Sequence, residues 1–141
     1  MAELAIRSGN GSTYLGFVAP GTNLGRFTNK ADPARVYSGQ ITKGAWTGHG
    51  VWECAERKEE GQFVDGSING FGMMTYKNGT SYQGEFNITH YHGKGRFIDA
   101  HGKITDSIWQ MGANTNTPCD MTQTLKSVQQ GESCGYQWNR D

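Results

Sequence analysis

Three histidines, His90, His92 and His101, come closest among the residues of this 141-residue chain to a metal-binding group. His90 and His92 are two residues apart on a predicted strand and therefore share a face, and three convergent imidazoles can bind Zn²⁺. However, His92 fills a position that Thr47 and Asn69 fill in related stretches, and His101 falls in a predicted turn. We therefore predict a structural or solvated role for the histidines and no metal site.

Acidic, serine and glycine-rich patterns also lack the arrangement of a catalytic site. Glu59 and Glu60 are adjacent, so on a strand they point to opposite faces and cannot act together on one substrate. The sequence contains no Gly-x-Ser-x-Gly pattern that would mark a nucleophilic serine. The segment 48–50 resembles a phosphate-binding loop only in its glycines, since the lysine-serine ending is missing. We predict no catalytic residue, no cofactor and no enzymatic activity.

The three cysteines, Cys54, Cys119 and Cys134, form an odd set without a Cys-x-x-Cys pair. Such a set indicates neither a zinc site nor a disulfide framework. A bridge between Cys119 and Cys134 remains an alternative in an oxidising compartment.

Charge and hydropathy limit the kinds of partner and the cellular location that the sequence predicts. The chain has 13 basic and 13 acidic residues and a formal net charge of zero, so no overall field directs it to nucleic acid. No apolar run approaches the ~20 residues that span a bilayer. The N-terminus lacks the basic start and apolar centre of a signal peptide. These features predict a soluble cytoplasmic protein.

A stretch rich in glycine and aromatic residues recurs every 22 to 23 residues. Three segments, 37–50, 59–72 and 82–95, align on their glycines without a gap, and a weaker copy begins near Tyr14. We call the three aligned segments the first, second and third full copies. A period of this length is typical of a repeat fold. The positions to which we assign a structural role in the repeat are Tyr14, Gly16, Tyr37, Gly39, Gly48, Gly50, Gly61, Gly70, Gly72, Tyr82, Gly84, Gly93 and Gly95.

The alternation of side chains along a strand explains this composition. Tyr82 and Gly84 share one face of a strand, and Gly93 and Gly95 share one face of the returning strand. Each glycine is expected to leave a gap over which the ring of a neighbouring strand lies. One face of the sheet is then filled with rings and glycines, and the other face is mostly polar.

Turn signals predict how the strands are joined. Asn78-Gly79 predicts a hairpin with a type I′ turn, and His101-Gly102 holds the matching place one copy later. The segments 4–7 and 103–109 are predicted as single strands of incomplete copies. The result is a repeat sheet over residues 1–110, built as an antiparallel meander.

Residues 111–141 are predicted to form a C-terminal cap with a short helix at about 120–130, packed on the same domain. Asp120 and Gln123 fit a capping box, and Gly131 fits a helix stop. A helix of ~10 residues is marginal alone in water, so we expect it to cover the open end of the meander.

The spacing Tyr-x-Gly, followed nine residues later by Gly-x-Gly and repeated every 22 to 23 residues, resembles the MORN repeat. The resemblance covers about four repeats in residues 11–105 and departs from the pattern at Glu59, where a tyrosine is expected. It implies an all-β, single-layer, elongated antiparallel meander of hairpins with a terminal helix. It also implies a non-catalytic adaptor or scaffold role, with dimers or phosphoinositide membranes as partners in some members.

The face opposite the rings carries the predicted partner-binding residues, which are Val51, Val64, Phe71, Met73, Lys94 and Arg96. Its apolar members suggest a docking site for a protein or a second copy, and the alternative is that the tail or the sheet twist covers them. We predict a protein-interaction module acting as adaptor, scaffold or inhibitor, with a partner that the sequence does not identify. A peripheral membrane or phosphoinositide-binding module, using a basic strip with Lys103, is the alternative.

Overall fold

The chain forms one open antiparallel sheet followed by a helix. The computed structural model describes residues 3–7 and 11–132. Their elements are β1 Leu4–Arg7, β2 Thr13–Val18, β3 Leu24–Asn29, β4 Val36–Thr42, β5 Ala45–Glu53, β6 Arg57–Val64, β7 Ser67–Tyr76, β8 Ser81–Asn87, β9 His90–Ile98, β10 Ile104–Gln110, β11 Ala113–Pro118 and α1 Thr122–Glu132. Strand order in the sheet equals sequence order, and all pairs are antiparallel. The predicted all-β meander with a C-terminal helix is confirmed.

A row of glycines crosses the middle of the sheet. Consecutive strands place glycine opposite glycine, and the row consists of Gly25, Gly39, Gly50, Gly61, Gly72, Gly84 and Gly95. A Cβ atom on Gly50 would overlap the ring of Tyr37, and one on Gly95 would overlap the ring of Tyr82. The rings therefore lie in the space that the glycines leave, as the alternation of side chains predicts.

A second set of glycines, Gly48, Gly70 and Gly93, has a different role. Each lies where the register shifts within a full copy, and each has positive φ, at 116°, 109° and 83°. The expectation that Gly93 leaves room for a ring is wrong, because a Cβ atom there would meet the side chain of Glu85 instead. This glycine is needed for the left-handed backbone of a β-bulge.

The core is a cluster of rings on one face, which we call the ring face. Tyr37 stacks on Trp46 with ring centroids 4.4 Å apart, and Tyr82 stacks on Tyr91 with centroids 3.9 Å apart. Trp46, Tyr37 and Tyr82 are at most 2% exposed. Trp109 packs edge-on against Tyr82 and extends the cluster toward the C-terminal strands. The rings supply the apolar burial that a single-layered sheet otherwise lacks.

The tight hairpins lie within the copies. Within residues 3–7 and 11–132, four two-residue turns have positive φ at both positions, the geometry of a type I′ turn, and they are Lys43-Gly44, Asp65-Gly66, Ile88-Thr89 and Met111-Gly112. At Asn78-Gly79 the predicted hairpin forms, but positive φ occurs at Gly79 (91°) rather than at both residues. The join there runs from 77 to 80, and the Tyr76 N–H donates to the Thr80 carbonyl. The predicted type I′ turn is therefore wrong at this position.

The C-terminal segment differs from the prediction in three ways. β11 pairs with β10, so the sheet continues beyond residue 110. α1 contacts β6, β7 and β8, in the middle of the sheet, and does not cover its open end. Asp120 caps the helix by accepting from the Thr122 N–H at 2.9 Å, in place of the predicted box with Gln123, and the helix runs through Gly131.

One prediction, the Cys119–Cys134 bridge, falls partly outside the described residues. Cys54 and Cys119, which are described, are free thiols. Within the described ranges, α1 is too short and too polar to span a bilayer.

Candidate interaction site

A cavity of about 400 Å³ opens on the ring face. It lies along β5 and β6 and reaches the turns at one rim of the sheet. Its lining residues are Tyr14, Trp46, Trp52, Arg57, Glu59, Phe63, Gly66, Ser67, Ile88 and Thr89. Four of these ten residues are aromatic, and the ion pair between Arg57 and Glu59 lies in the wall.

The cavity lies beside the copy that lacks a ring stack. Tyr37 and Tyr82 are replaced by Glu59 in the second full copy, at the same repeat position. The stacking partners Trp46 and Tyr91 are likewise replaced there by Ile68, which is fully buried. Both members of the ring pair are therefore smaller in this copy, and the ring cluster is interrupted.

Glu59 is a buried carboxyl group, 5% exposed, that pairs with Arg57. Its Oε2 accepts from the Arg57 Nε–H at 2.9 Å, and the guanidinium lies 4.8 Å from the centre of the Trp52 ring. Burial raises the pKa of Glu59 above its ordinary value, although the hydrogen bond and charge of Arg57 oppose the change. The pair places one positive and one negative charge at the cavity wall.

Trp46 has a buried indole N–H without an acceptor among the described residues. The side chain is 2% exposed and lines the cavity. By contrast, Trp52 donates its indole N–H to the Tyr14 hydroxyl at 2.9 Å, and Trp109 donates to the Gly95 carbonyl at 3.1 Å. A buried donor without a partner costs about 1–3 kcal/mol, so this N–H lowers the local stability of the sheet.

The turn Ile88-Thr89 lies at the mouth of the cavity in an unusual backbone conformation. Ile88 has φ of 45° and Thr89 of 71°, a region that β-branched residues rarely occupy. The Thr89 N–H donates to the Ile68 carbonyl at 2.9 Å, which ties the turn to the preceding copy. Ile88 is nevertheless 60% exposed, and Met111, at the first position of the neighbouring turn, is 50% exposed.

The opposite face holds the predicted partner-binding residues, and α1 lies over part of it. Met121 of the helix segment is buried but is not a member of the ring cluster. The pKa of Asp120 is lowered by hydrogen bonds from Thr122 and also by the charge of Lys94, which places the start of the helix near that lysine. α1 therefore packs on the face opposite the rings, above β6 to β8.

The apolar members of the predicted surface differ in exposure. Phe71 and Met73 lie on β7, which α1 contacts, and both are half-buried. Val51 is 4% exposed and packs with Leu24, while Val64 is 45% exposed. A partner that used all four residues would have to share this face with α1.

The basic residues of this face do not form a free basic strip. Arg96 makes two hydrogen bonds to Asp106, at 2.8 Å and 3.0 Å. The backbone N–H of Lys94 donates to the Glu85 carboxylate at 2.7 Å, so an acid also lies beside this lysine. Lys103 is exposed in a turn. Positive charge is thus offset locally by acidic groups.

The histidines and the two adjacent glutamates, Glu59 and Glu60, each have their own contacts in the structure. His90 contacts the Ile88 carbonyl through Nδ1, and His92 accepts from the Met111 N–H. Glu59 pairs with Arg57, whereas Glu60 pairs with Lys58 at 2.9 Å. Among residues 3–7 and 11–132, no group of three His, Cys, Asp or Glu side chains could hold a metal ion.

Sequence reasoning missed two features of this site. It noted Glu59 as a departure from the repeat but did not predict the cavity, which required the paired loss of a ring at Ile68. It also missed the residue after each strand glycine, namely Gln40, Gln62 and Glu85. These side chains accept from the backbone N–H of residues 49, 71 and 94, at 2.7, 2.9 and 2.7 Å. Their spacing of 22 and 23 residues was visible in the sequence.

Comparison with known proteins identifies the repeat. The family model for the MORN repeat matches residues 37–56, 60–81 and 82–103. Each match starts within one residue of the start of a full copy and extends beyond the last glycine of that copy. The weaker copy at Tyr14 lies before the first match. A search of curated proteins found no match. The periodic glycines, the sheet that they build and the three matched segments together identify residues 37–103 as MORN repeats.

Proposed function

We propose that the chain is a non-catalytic protein-interaction module, acting as an adaptor, scaffold or inhibitor. MORN repeats are in general protein- or membrane-interaction modules. A protein partner is favoured over a membrane by one observation: Ile88 and Met111, on adjacent hairpin turns, have exposed apolar side chains. A cytoplasmic setting is part of the proposal and rests on the sequence composition.

Holding these side chains at the turns costs free energy. A non-glycine residue in the left-handed region costs about 1–3 kcal/mol, and Ile88 and Thr89 both occupy it. With 60% of Ile88 exposed, burial offsets little of this cost. Lys43 and Asp65 show that polar residues fit the same turn position in other copies. An apolar rim is therefore best explained by contact with another protein.

The two turns adjoin, so they form one surface. β9 pairs with β10, which places the β8–β9 and β10–β11 turns side by side. The Asn87 side-chain amide lies 3.8 Å from the Met111 sulfur and links the two turns. We call Ile88 and Met111 the rim pair.

A membrane partner is less well supported by charge. The formal net charge is zero, and Arg96 is paired with Asp106. Basic residues contribute about 1 kcal/mol each near an anionic surface only while they remain unneutralised. Flotation with vesicles of phosphatidylserine and phosphatidylcholine at low and high salt tests this alternative, since such binding must weaken with ionic strength.

The rim pair can be removed without damage to the fold. Replacing Ile88-Thr89 by Asn-Gly and Met111→Asn installs the residues that type I′ turns favour. We expect unfolding free energy to rise by about 1–2 kcal/mol while proteins recovered on the immobilised wild-type chain are lost. Quantitative mass spectrometry of the recovered proteins and urea unfolding measure the two effects.

The matched control is Lys43→Asn, which makes the same Asn-Gly turn at the first full copy, away from the rim pair. It should retain every recovered protein. Equal recovery on the wild type and the rim variant would contradict the proposed surface.

A further inference from the structure

We propose that two copies of this chain pair edge to edge through β1, so that their two sheets join into one. β1 is the first strand in the order of the sheet and pairs with β2 on one side; no described strand lies on its other side. The rim pair lies on turns nearer the opposite edge, so the two surfaces are independent of each other.

The hydrogen bonding of β2 shows which backbone groups of β1 point outward. The Lys30 N–H donates to the Thr13 carbonyl, so the backbone groups of Thr13 point toward β3. Arg7 lies opposite Thr13 on β1, and in such a pair the backbone groups of both residues point away from each other. Arg7 and, two residues earlier, Ala5 therefore direct their N–H and carbonyl groups away from β2. A row of such groups at a sheet edge is a template for another strand.

The side chains of this segment are self-complementary. Residues 3–7 read Glu-Leu-Ala-Ile-Arg, and two antiparallel copies can align with Ala5 opposite Ala5 on a two-fold axis. Glu3 of each copy then lies opposite Arg7 of the other, and Leu4 lies opposite Ile6. Opposite charges directly across an antiparallel pair stabilise it. The same alignment sets the outward backbone groups of the two copies against one another, so that they can exchange hydrogen bonds.

Both faces of the joined sheet fit this alignment. Leu4 and Ile6 lie on the ring face, where Ile6 is 8% exposed within the ring cluster but Leu4 is 43% exposed. Ile6 of the second copy would lie beside Leu4 and cover it, which continues the apolar core across the two-fold axis. Glu3 and Arg7 lie on the other face and are exposed, so their ion pairs form without burying charge.

The other edge of the sheet is unsuited to such pairing. β11 is mostly polar and exposed, Asn116 has φ of 62°, and Pro118 has no N–H to donate. The register of β11 with β10 also shifts between Ile108 and Trp109. One self-complementary edge and one interrupted edge produce a closed dimer, because the joined sheet ends in β11 on both sides.

The dimer is expected to be weak. A strand pair of this length buries far less than the ~1,200 Å² of a stable interface, so we expect a dissociation constant of about 100 μM. Sedimentation equilibrium on the full-length chain, from about 10 μM to about 1 mM, should show the mean mass rise from one chain toward two. A mass of one chain throughout, or growth beyond two chains, would overturn the proposal.

Charge reversal tests the alignment. Glu3→Arg and Arg7→Glu each place like charges opposite one another at both ends of the strand pair, and each should weaken the dimer at least about tenfold. An equimolar mixture of the two variants should dimerise again, because every base of one variant then faces an acid of the other. Single variants that dimerise as the wild type does, or a mixture that stays monomeric, would contradict the alignment and overturn the proposal.

A backbone variant and a control complete the test. Ala5→Pro removes the N–H at the two-fold axis, and proline is tolerated on an edge strand, so the dimer should be lost while circular dichroism shows the sheet intact. Glu56→Arg makes the same charge change as Glu3→Arg at an exposed position in the turn between β5 and β6, and it should dimerise as the wild type does. Dimerisation of a folded Ala5→Pro variant, or its loss in Glu56→Arg, would also overturn pairing through β1.

Discussion

Single residues decide whether the sheet can carry its rings. A Cβ atom on Gly95 would overlap the Tyr82 ring, and one on Gly72 would lie 2.6 Å from Ile68 and 2.7 Å from the Glu60 carbonyl. These glycines are therefore required by close packing and not by positive φ. The sequence predicted this role correctly for Gly95, because the alternation of side chains along a strand depends only on spacing.

Gly95→Val tests the packing of ring on glycine. We expect the unfolding free energy to fall by about 3 kcal/mol or more, since the Tyr82 ring has no free space to move into and overpacking alone costs about 1–3 kcal/mol. Urea unfolding followed by circular dichroism measures the change. Gly102→Asn is the control, because that glycine has open space around it and Asn tolerates its φ of 86°. Equal stability of the two variants would contradict the packing role.

The carboxyl group of Glu59 makes stability depend on pH. Burial raises its folded-state pKa above the unfolded value, so the folded protein holds this proton more tightly. Its contribution to stability is therefore present below the ordinary glutamate pKa and is lost as pH rises through the raised value. Glu59→Gln removes this titration, so the stability of the variant relative to wild type should increase from pH 4 to pH 7.

Urea unfolding at both pH values measures the effect of Glu59→Gln. Glu53→Gln, at an exposed acid, provides the control. A relative stability that falls with rising pH would show that pairing with Arg57 outweighs burial.

At the scale of elements, each full copy is closed by a side-chain bridge across its bulge. The side chains of Gln40, Gln62 and Glu85 accept the same hydrogen bond from a backbone N–H in successive copies. Each bridge satisfies a backbone N–H that the register shift removes from the strand ladder. The side-chain oxygen, which Gln and Glu share, is the part that the bulge requires.

Gln62→Ala should lower the unfolding free energy by about 1 kcal/mol, because the Phe71 N–H loses its acceptor. Gln62→Glu should retain most of the stability, since Glu85 fills the same role in the third full copy. Thermal and urea unfolding of the two variants measure the difference. If Gln62→Glu lost as much stability as Gln62→Ala, the bridge would not explain this position.

The turns show why some elements could not be predicted from local sequence. Asn78-Gly79 has the preferred composition of a type I′ turn but lies in a longer connection, whereas Ile88-Thr89 adopts positive φ at both residues despite its composition. The strand register, held by the glycine row on both sides, determines the length of each connection. Tertiary pairing therefore overrides the preference of the turn residues.

At the scale of the whole molecule, the repeat period was enough to predict the meander and its strand order. The position of α1 was not predictable, because the apolar side chains of an amphipathic helix do not specify which apolar surface they contact. α1 follows the edge strand β11 in the chain but lies over β6 to β8. The residues of β11, Ala113–Pro118, are mostly polar and gave little sign of a strand.

Protection from hydrogen exchange should follow position in the sheet. β5 to β8 have a strand on each side, and β6 to β8 also lie under α1, so their amides should exchange slowest. β1 and β11 pair on one side only, and their amides should exchange fastest. Mass spectrometry of peptic fragments after deuterium labelling measures the order. Equal protection of β1 and β6 would indicate that the sheet opens as one unit.

Strand order that equals sequence order has a consequence for synthesis of the chain. Each of the strands β2 to β11 pairs with the strand that left the ribosome immediately before it, so each hairpin can form as soon as its second strand emerges. No strand waits for a distant one, and loop-closure entropy stays small at every step. The growing sheet lengthens in the direction of translation, and its last partner, α1, arrives when the strands beneath it are already in place.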